Sequence, residues 1–185
     1  VCSSDLGIVK HKLERGPLEY TAIWQVAQRM TDRPVKFGAI CAPALASMLW
    51  NEFYDDDKAM ILDLCDIMNA ELRDVAAAGC PLIQVEEPRH HGMTTRPDTT
   101  DKDLEFQTEA FNRQLVGVDA EIWVHTCWGN PNMQRVMEDT SYANSIEIYL
   151  ERCRGERRCE AGGPLRDHVV LRSGGRGRCR DEGEI

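Results

Sequence analysis

No stretch of this chain approaches the roughly 20 consecutive apolar residues that a membrane-spanning helix needs. Residues 1–12 contain no apolar segment of the kind that marks a secretory signal, so none is expected there. Positive charge is also scarce. Twenty-two Lys and Arg stand against 31 Asp and Glu, a net charge of −9, which argues against a general nucleic-acid binder. No glycine-rich phosphate loop of the GxGxxG or GxxxxGK type follows an apolar strand, which weakens a nucleotide-binding reading. The eight cysteines form no orderly disulfide framework, and 185 residues do not need one. Cys41, Cys65 and Cys80 lie inside apolar segments, where a cysteine usually serves as a small buried hydrophobe. These features predict a reducing, cytoplasmic setting and one domain of ordinary size.

The two ends differ from the middle. From Arg154 onward there is no lysine, glycine is dense, and only Val169-Val170-Leu171 offers much to bury. Residues 155–185 therefore read as an Arg/Gly-rich tail, open to three interpretations: a basic RNA-binding segment, a disordered end, or the product of a slipped reading frame. Residues 1–6 resemble translated adapter sequence and are set aside as a cloning scar. The chain reads as a fragment whose folded unit is residues 7–154.

Within that unit, helical and strand-like segments alternate. Residues 18–30 are rich in helix formers around Ile23, Val26 and Met30, and Asp32-Arg33-Pro34 ends that helix. Residues 35–42 predict a buried strand stopped by Pro43, followed by a short helix over residues 44–54. Asp55-Asp56-Asp57 then supplies a cap and an acidic first turn for a long helix. Its Met60, Ile61, Leu64, Ile67, Met68, Leu72 and Val75 form one apolar face, and Gly79 ends it. Residues 81–85 are a short apolar strand leading into Glu86-Glu87-Pro88. Thr99 or Thr100 caps the next helix, with Leu104, Phe111 and Leu115 inward and Gly117 closing it. Residues 121–125 form another strand, and residues 133–150 another helix. Such an order implies a parallel sheet covered by helices, either doubly wound or part of a (β/α)8 barrel. Polar residues gather at the C-terminal ends of the strands, as in barrel enzymes. A full barrel takes about 250 residues, so the expectation is an α/β fold comprising about half of one.

The most informative segment is Glu121-Ile122-Trp123-Val124-His125-Thr126-Cys127-Trp128-Gly129-Asn130. Strand residues two apart share a face, so His125 and Cys127 stand together at a strand end, half of a zinc site. The plainer interpretation is a core histidine beside an inert cysteine. Gln84 and Glu86 also share a face, and Glu86 is expected to point towards the same cavity as His125. There it could bind a substrate ammonium group or exchange protons; alternatively it caps the next loop. His90-His91-Gly92 is expected in a surface loop. Glu147, Glu151, Cys153, Cys159 and Cys179 are the remaining downstream donors, none of them well placed. No catalytic residue is assigned.

With these residues in view, residues 18–154 resemble the C-terminal catalytic barrel of cobalamin-independent methionine synthase and its relatives. Two motifs carry the likeness: Ala78-Gly79-Cys80-Pro81-Leu82-Ile83-Gln84-Val85-Glu86-Glu87-Pro88, and His125-Thr126-Cys127-Trp128-Gly129-Asn130. The resemblance implies His125 and Cys127 as zinc ligands, with a glutamate from the following strand and a later cysteine completing the set. It implies a zinc-activated thiol, homocysteine, taking the methyl group of 5-methyltetrahydrofolate. Glu86 stands where the family has an aspartate that binds the homocysteine amino group, so the substrate's identity stays open. The remaining two ligands would fall in or beyond the Arg/Gly-rich tail. Other thiol-alkyl transfers, to coenzyme M or by opening an epoxide, are the alternative within the same fold. A non-catalytic barrel fragment and an RNA-binding tail are the alternatives outside it.

Overall fold

The computed structural model describes residues 7–16, 19–94, 96–126, 129–130, 134–135 and 169–171. In chain order the elements are β1 (Gly7–Val9), α1 (Tyr20–Arg29), β2 (Phe37–Ile40), α2 (Ala42–Ala46), β3 (Leu49–Asn51), α3 (Asp57–Ala77), β4 (Leu82–Glu86), α4 (Arg89–Thr94), α5 (Asp101–Arg113), β5 (Glu121–His125), β6 (Gly129–Asn130), β7 (Gln134–Arg135) and β8 (Val169–Leu171). The main sheet has the order β2-β4-β5-β8, and all of its pairings are parallel. Strands join it in sequence order without a reversal. β1 and β3 form a second, two-stranded parallel sheet, and β6 and β7 a short antiparallel pair.

Local chemistry explains the two long helices. Asp56 caps α3: its carboxylate accepts the Ala59 N–H at 2.7 Å, and Asp57 adds negative charge to the first turn. The helix ends at Ala78, where Gly79 takes φ 102°, a conformation that costs a residue with a Cβ. α5 begins with a full capping box: Thr100 and Asp103 each accept the other's backbone N–H. Its connection to β5 turns at Gly117, φ 70°.

Alternation sorts the sheet into two faces. Phe37, Ala39, Ile83, Val85, Ile122 and Val124 are buried and belong to one apolar cluster with Met60, Leu64, Met68, Leu72 and Val75 of α3 and Ala110 and Phe111 of α5. On the opposite face Gly38 is exposed, while Ile40, Gln84, Glu86, Trp123 and His125 are only half-buried. Cys41, Cys65 and Cys80 are buried free thiols, as expected of small apolar side chains.

Several expectations need correction. The helix over residues 44–54 is instead α2 followed by strand β3, which pairs with β1; neither β1 nor its pairing is visible in the sequence pattern. The strand over residues 35–42 is shorter, because Pro43 sits in the first turn of α2, where its missing N–H costs nothing. Helix α1 forms as expected; Ile23, Val26 and Met30 face solvent, and its buried residue is Trp24, whose indole N–H donates to the Val35 carbonyl at 2.9 Å. Gln134–Arg135 form β7 rather than opening a helix; most of the predicted helix lies outside the described residues. Val169–Leu171, in the Arg/Gly-rich segment, pair in parallel with β5.

Candidate functional site at the strand tips

In a parallel sheet every strand presents its C-terminal end at the same edge, and register decides which side chains meet there. Glu86 pairs with His125, and Ile40 with Glu86. Hydrogen bonding continues one residue past the strands: the Cys41 N–H donates to the Glu86 carbonyl at 3.0 Å, and the Glu87 N–H to the His125 carbonyl at 2.7 Å. The tips of β2, β4 and β5 are therefore held in line.

A polar string runs along the half-open face. Lys36 Nζ donates to Gln84 Oε1 at 2.6 Å, Gln84 Nε2 donates to Glu86 Oε1, and Glu86 Oε2 lies 3.4 Å from His125 Nε2. The Lys36 ammonium also sits 5.3 Å from the centre of the Trp123 ring. Lysine can only donate, so it fixes the orientation of the Gln84 amide, whose NH2 then faces Glu86. Glu86 and His125 side chains are 37% and 35% exposed, enough for an incoming small molecule to reach both.

Gln84, Glu86 and His125 are thus brought together on one face. Cys127 lies outside the described residues, as do Glu147, Glu151, Cys153, Cys159 and Cys179. Of these three, His125 is the residue expected to bind zinc, through its imidazole. Among the described residues, however, no group of three or more His, Cys, Asp or Glu could hold a metal ion.

On the other side of the same tips lies a buried polar layer. Glu87 is 1% exposed; its Oε1 accepts from Gln107 Nε2 at 2.8 Å, and its Oε2 accepts the His90 N–H at 2.9 Å. The Cys41 thiol is near Glu87 Oε1, and burial, reinforced by the Glu87 charge, pushes its pKa far up. His90 and His91 are buried on α4, not displayed on a surface loop as expected. Position 92 is a glycine, and nothing about the two adjacent histidines alone reveals that a six-residue helix packs them inward.

Sequence reasoning also missed Lys36 and Trp123 on the open face. The missing signal was parity: counting back from Ile40 in steps of two reaches Lys36, and from His125 reaches Trp123. That Trp123 stands beside Gln84 follows only from the register between strands.

Residues 6–152 match the family model described as the catalytic domain of cobalamin-independent synthase. Among curated proteins, the methionine synthase of Sulfurisphaera tokodaii is 31% identical over 107 residues, 58% of this chain and 30% of that protein. That of Pyrococcus abyssi is 30% identical over 120 residues, 64% of this chain and 33% of that protein. The chain thus spans about a third of the length of these relatives. Among solved structures, a B12-independent methionine synthase from Shewanella sp. W3-18-1 in complex with selenomethionine superposes with a TM-score of 0.67 at 17% identity, covering 80% of this chain and 42% of that one. A Listeria monocytogenes protein described as a putative vitamin-B12 independent methionine synthase gives 0.57 at 15% identity, covering 66% of this chain and 41% of that one. At these identities the likeness is one of fold.

Proposed function

This chain belongs to the cobalamin-independent synthase catalytic-domain family, and from that premise we propose that it carries part of the site of a zinc-dependent enzyme that moves a methyl group from 5-methyltetrahydrofolate to homocysteine. The observation that carries the proposal is the meeting of Glu86 and His125 on the half-open face, at adjacent parallel strand tips. In this reading residues 7–154 are the methyltransferase unit, about half of a (β/α)8 barrel. The unreversed strand order supports that architecture, because a doubly wound sheet reverses at its switch point. The half-open face is then the barrel interior, and the buried face is the one covered by α3 and α5.

His125 and Cys127 would hold the zinc. When bound there, zinc would lower the pKa of the substrate thiol and supply a thiolate at neutral pH. The chain's own residues would take up the amino-acid end of the substrate. Glu86 offers its carboxylate to the ammonium group of the amino-acid substrate, and Gln84 holds that carboxylate from the side away from His125. The extra methylene of a glutamate, compared with the family's aspartate, keeps the charge but alters its reach and so the substrate it fits, and transfer to coenzyme M or opening of an epoxide is the competing activity. Among the described residues no helix is long and apolar enough to cross a membrane. A metabolic role on small molecules in the cytoplasm, without nucleic-acid or membrane partners, accords with the acidic charge.

Zinc content tests the reading directly. A protein carrying this segment together with the two further ligands is expected to retain zinc, and His125→Asn and Cys127→Ser in it are each expected to abolish retention while leaving the circular dichroism spectrum unchanged. A full-length protein that takes no zinc overturns the proposal. Methyl transfer from 5-methyltetrahydrofolate to homocysteine, run beside coenzyme M and an epoxide, identifies the reaction.

A further inference from the structure

Glu87 is a buried carboxyl that the proposed chemistry does not use. Burying a carboxylate is costly unless its oxygens are satisfied, and here two donors from different elements converge on it: the Gln107 amide of α5 and the His90 backbone N–H of α4. The same residue donates its own backbone N–H to the His125 carbonyl. Its side chain is thereby tied to the helix layer and its main chain to the tip of β5.

Adjacent strand residues point to opposite faces. Pinning Glu87 towards the helices therefore turns Glu86 to the open face, opposite His125. The Cys41 N–H, donated to the Glu86 carbonyl, locks the other side of the same peptide. We propose that Glu87 is the positioning residue of this site: by accepting from Gln107 and His90, it sets the register of the β4 and β5 tips and hence the approach of Glu86 to His125. The role rests on hydrogen-bond acceptance, not on charge alone, because a glutamine can accept the His90 N–H while its NH2 donates to a turned-over Gln107 amide. The inference deepens the zinc-site reading and rests on it only for its second measurement.

The test compares Glu87→Met, which keeps length but removes both acceptors, with Glu87→Gln. The first measurement is amide hydrogen exchange in the metal-free chain. Leaving two buried donors unpaired is expected to speed exchange at residues 41 and 87 by roughly tenfold or more in Glu87→Met, with Val85 and Val124 unchanged. The second is zinc affinity of the full-length protein by chelator competition, expected to weaken by roughly 10–100-fold, as for other groups that orient a ligand. Glu87→Gln is expected to restore both. Should Glu87→Met fail to fold, Gln107→Leu removes one donor and carries the same comparison. Exchange that accelerates evenly along β4 and β5, or zinc affinity unchanged in Glu87→Met, reduces Glu87 to a packing residue and overturns the inference. If the unmodified full-length protein takes no zinc, the functional proposal falls while the exchange measurement still decides the role of Glu87.

Discussion

The assignment of faces in the main sheet can be tested at two neighbouring positions. Ile83 is fully buried on the helix side, whereas Gln84, next in sequence, stands half-buried on the other face. Ile83→Ala removes three carbon groups at about 0.8 kcal/mol each and leaves a cavity, which together give a loss of about 3–4 kcal/mol. For a domain of this size that lowers Tm by roughly 6–16 °C. Gln84→Ala removes contacts to Lys36 and Glu86 whose partners remain reachable by water, so its cost is below about 1 kcal/mol. Urea unfolding followed by circular dichroism measures both, and the midpoint should fall in Ile83→Ala with the slope unchanged. Equal losses at the two positions would refute the reasoning, because they would mean that the Gln84 face is as enclosed as the Ile83 face and offers no entrance to a ligand.

Other expectations follow from single features. Thr100→Ala breaks the capping box of α5 and should cost about 1 kcal/mol in the same urea assay. The Cys65 thiol, pushed up to about 12 by burial, should resist a thiol reagent at pH 8 in the native chain and react on unfolding. Arg113 donates to both carboxylate oxygens of Asp66, at 2.6 and 2.7 Å, and holds that carboxyl below its usual range. A depressed carboxylate stabilises above its unfolded pKa, and the stabilisation is lost as pH falls through the folded value. Arg113→Met should therefore flatten the stability profile below about pH 4, by less than about 1 kcal/mol because the pair is solvent-exposed.

Long, strongly patterned elements were legible in the chain itself. The apolar stripe of α3, the caps at Asp56 and Thr100, and the stops at Gly79 and Gly117 are all local signals, readable within a few residues. So was strand β5, whose bounds match residues 121–125, and so was the shared face of Gln84 and Glu86. Short elements were not. β3 spans three residues and exists because β1, some forty positions earlier, pairs with it. The burial of His90 and His91 depends on α4 packing against α5, a contact no local pattern encodes.

The sequence by itself determined the alternation of helices and strands and placed Glu86 and His125 at strand ends, because period and capping are properties of neighbours along the chain. Only the tertiary structure decided that those two side chains meet, that Lys36 reaches Gln84, and that Glu87 turns inward to be held by Gln107. Those outcomes depend on strand register and helix packing, which join residues tens of positions apart and are selected by burial across the whole sheet.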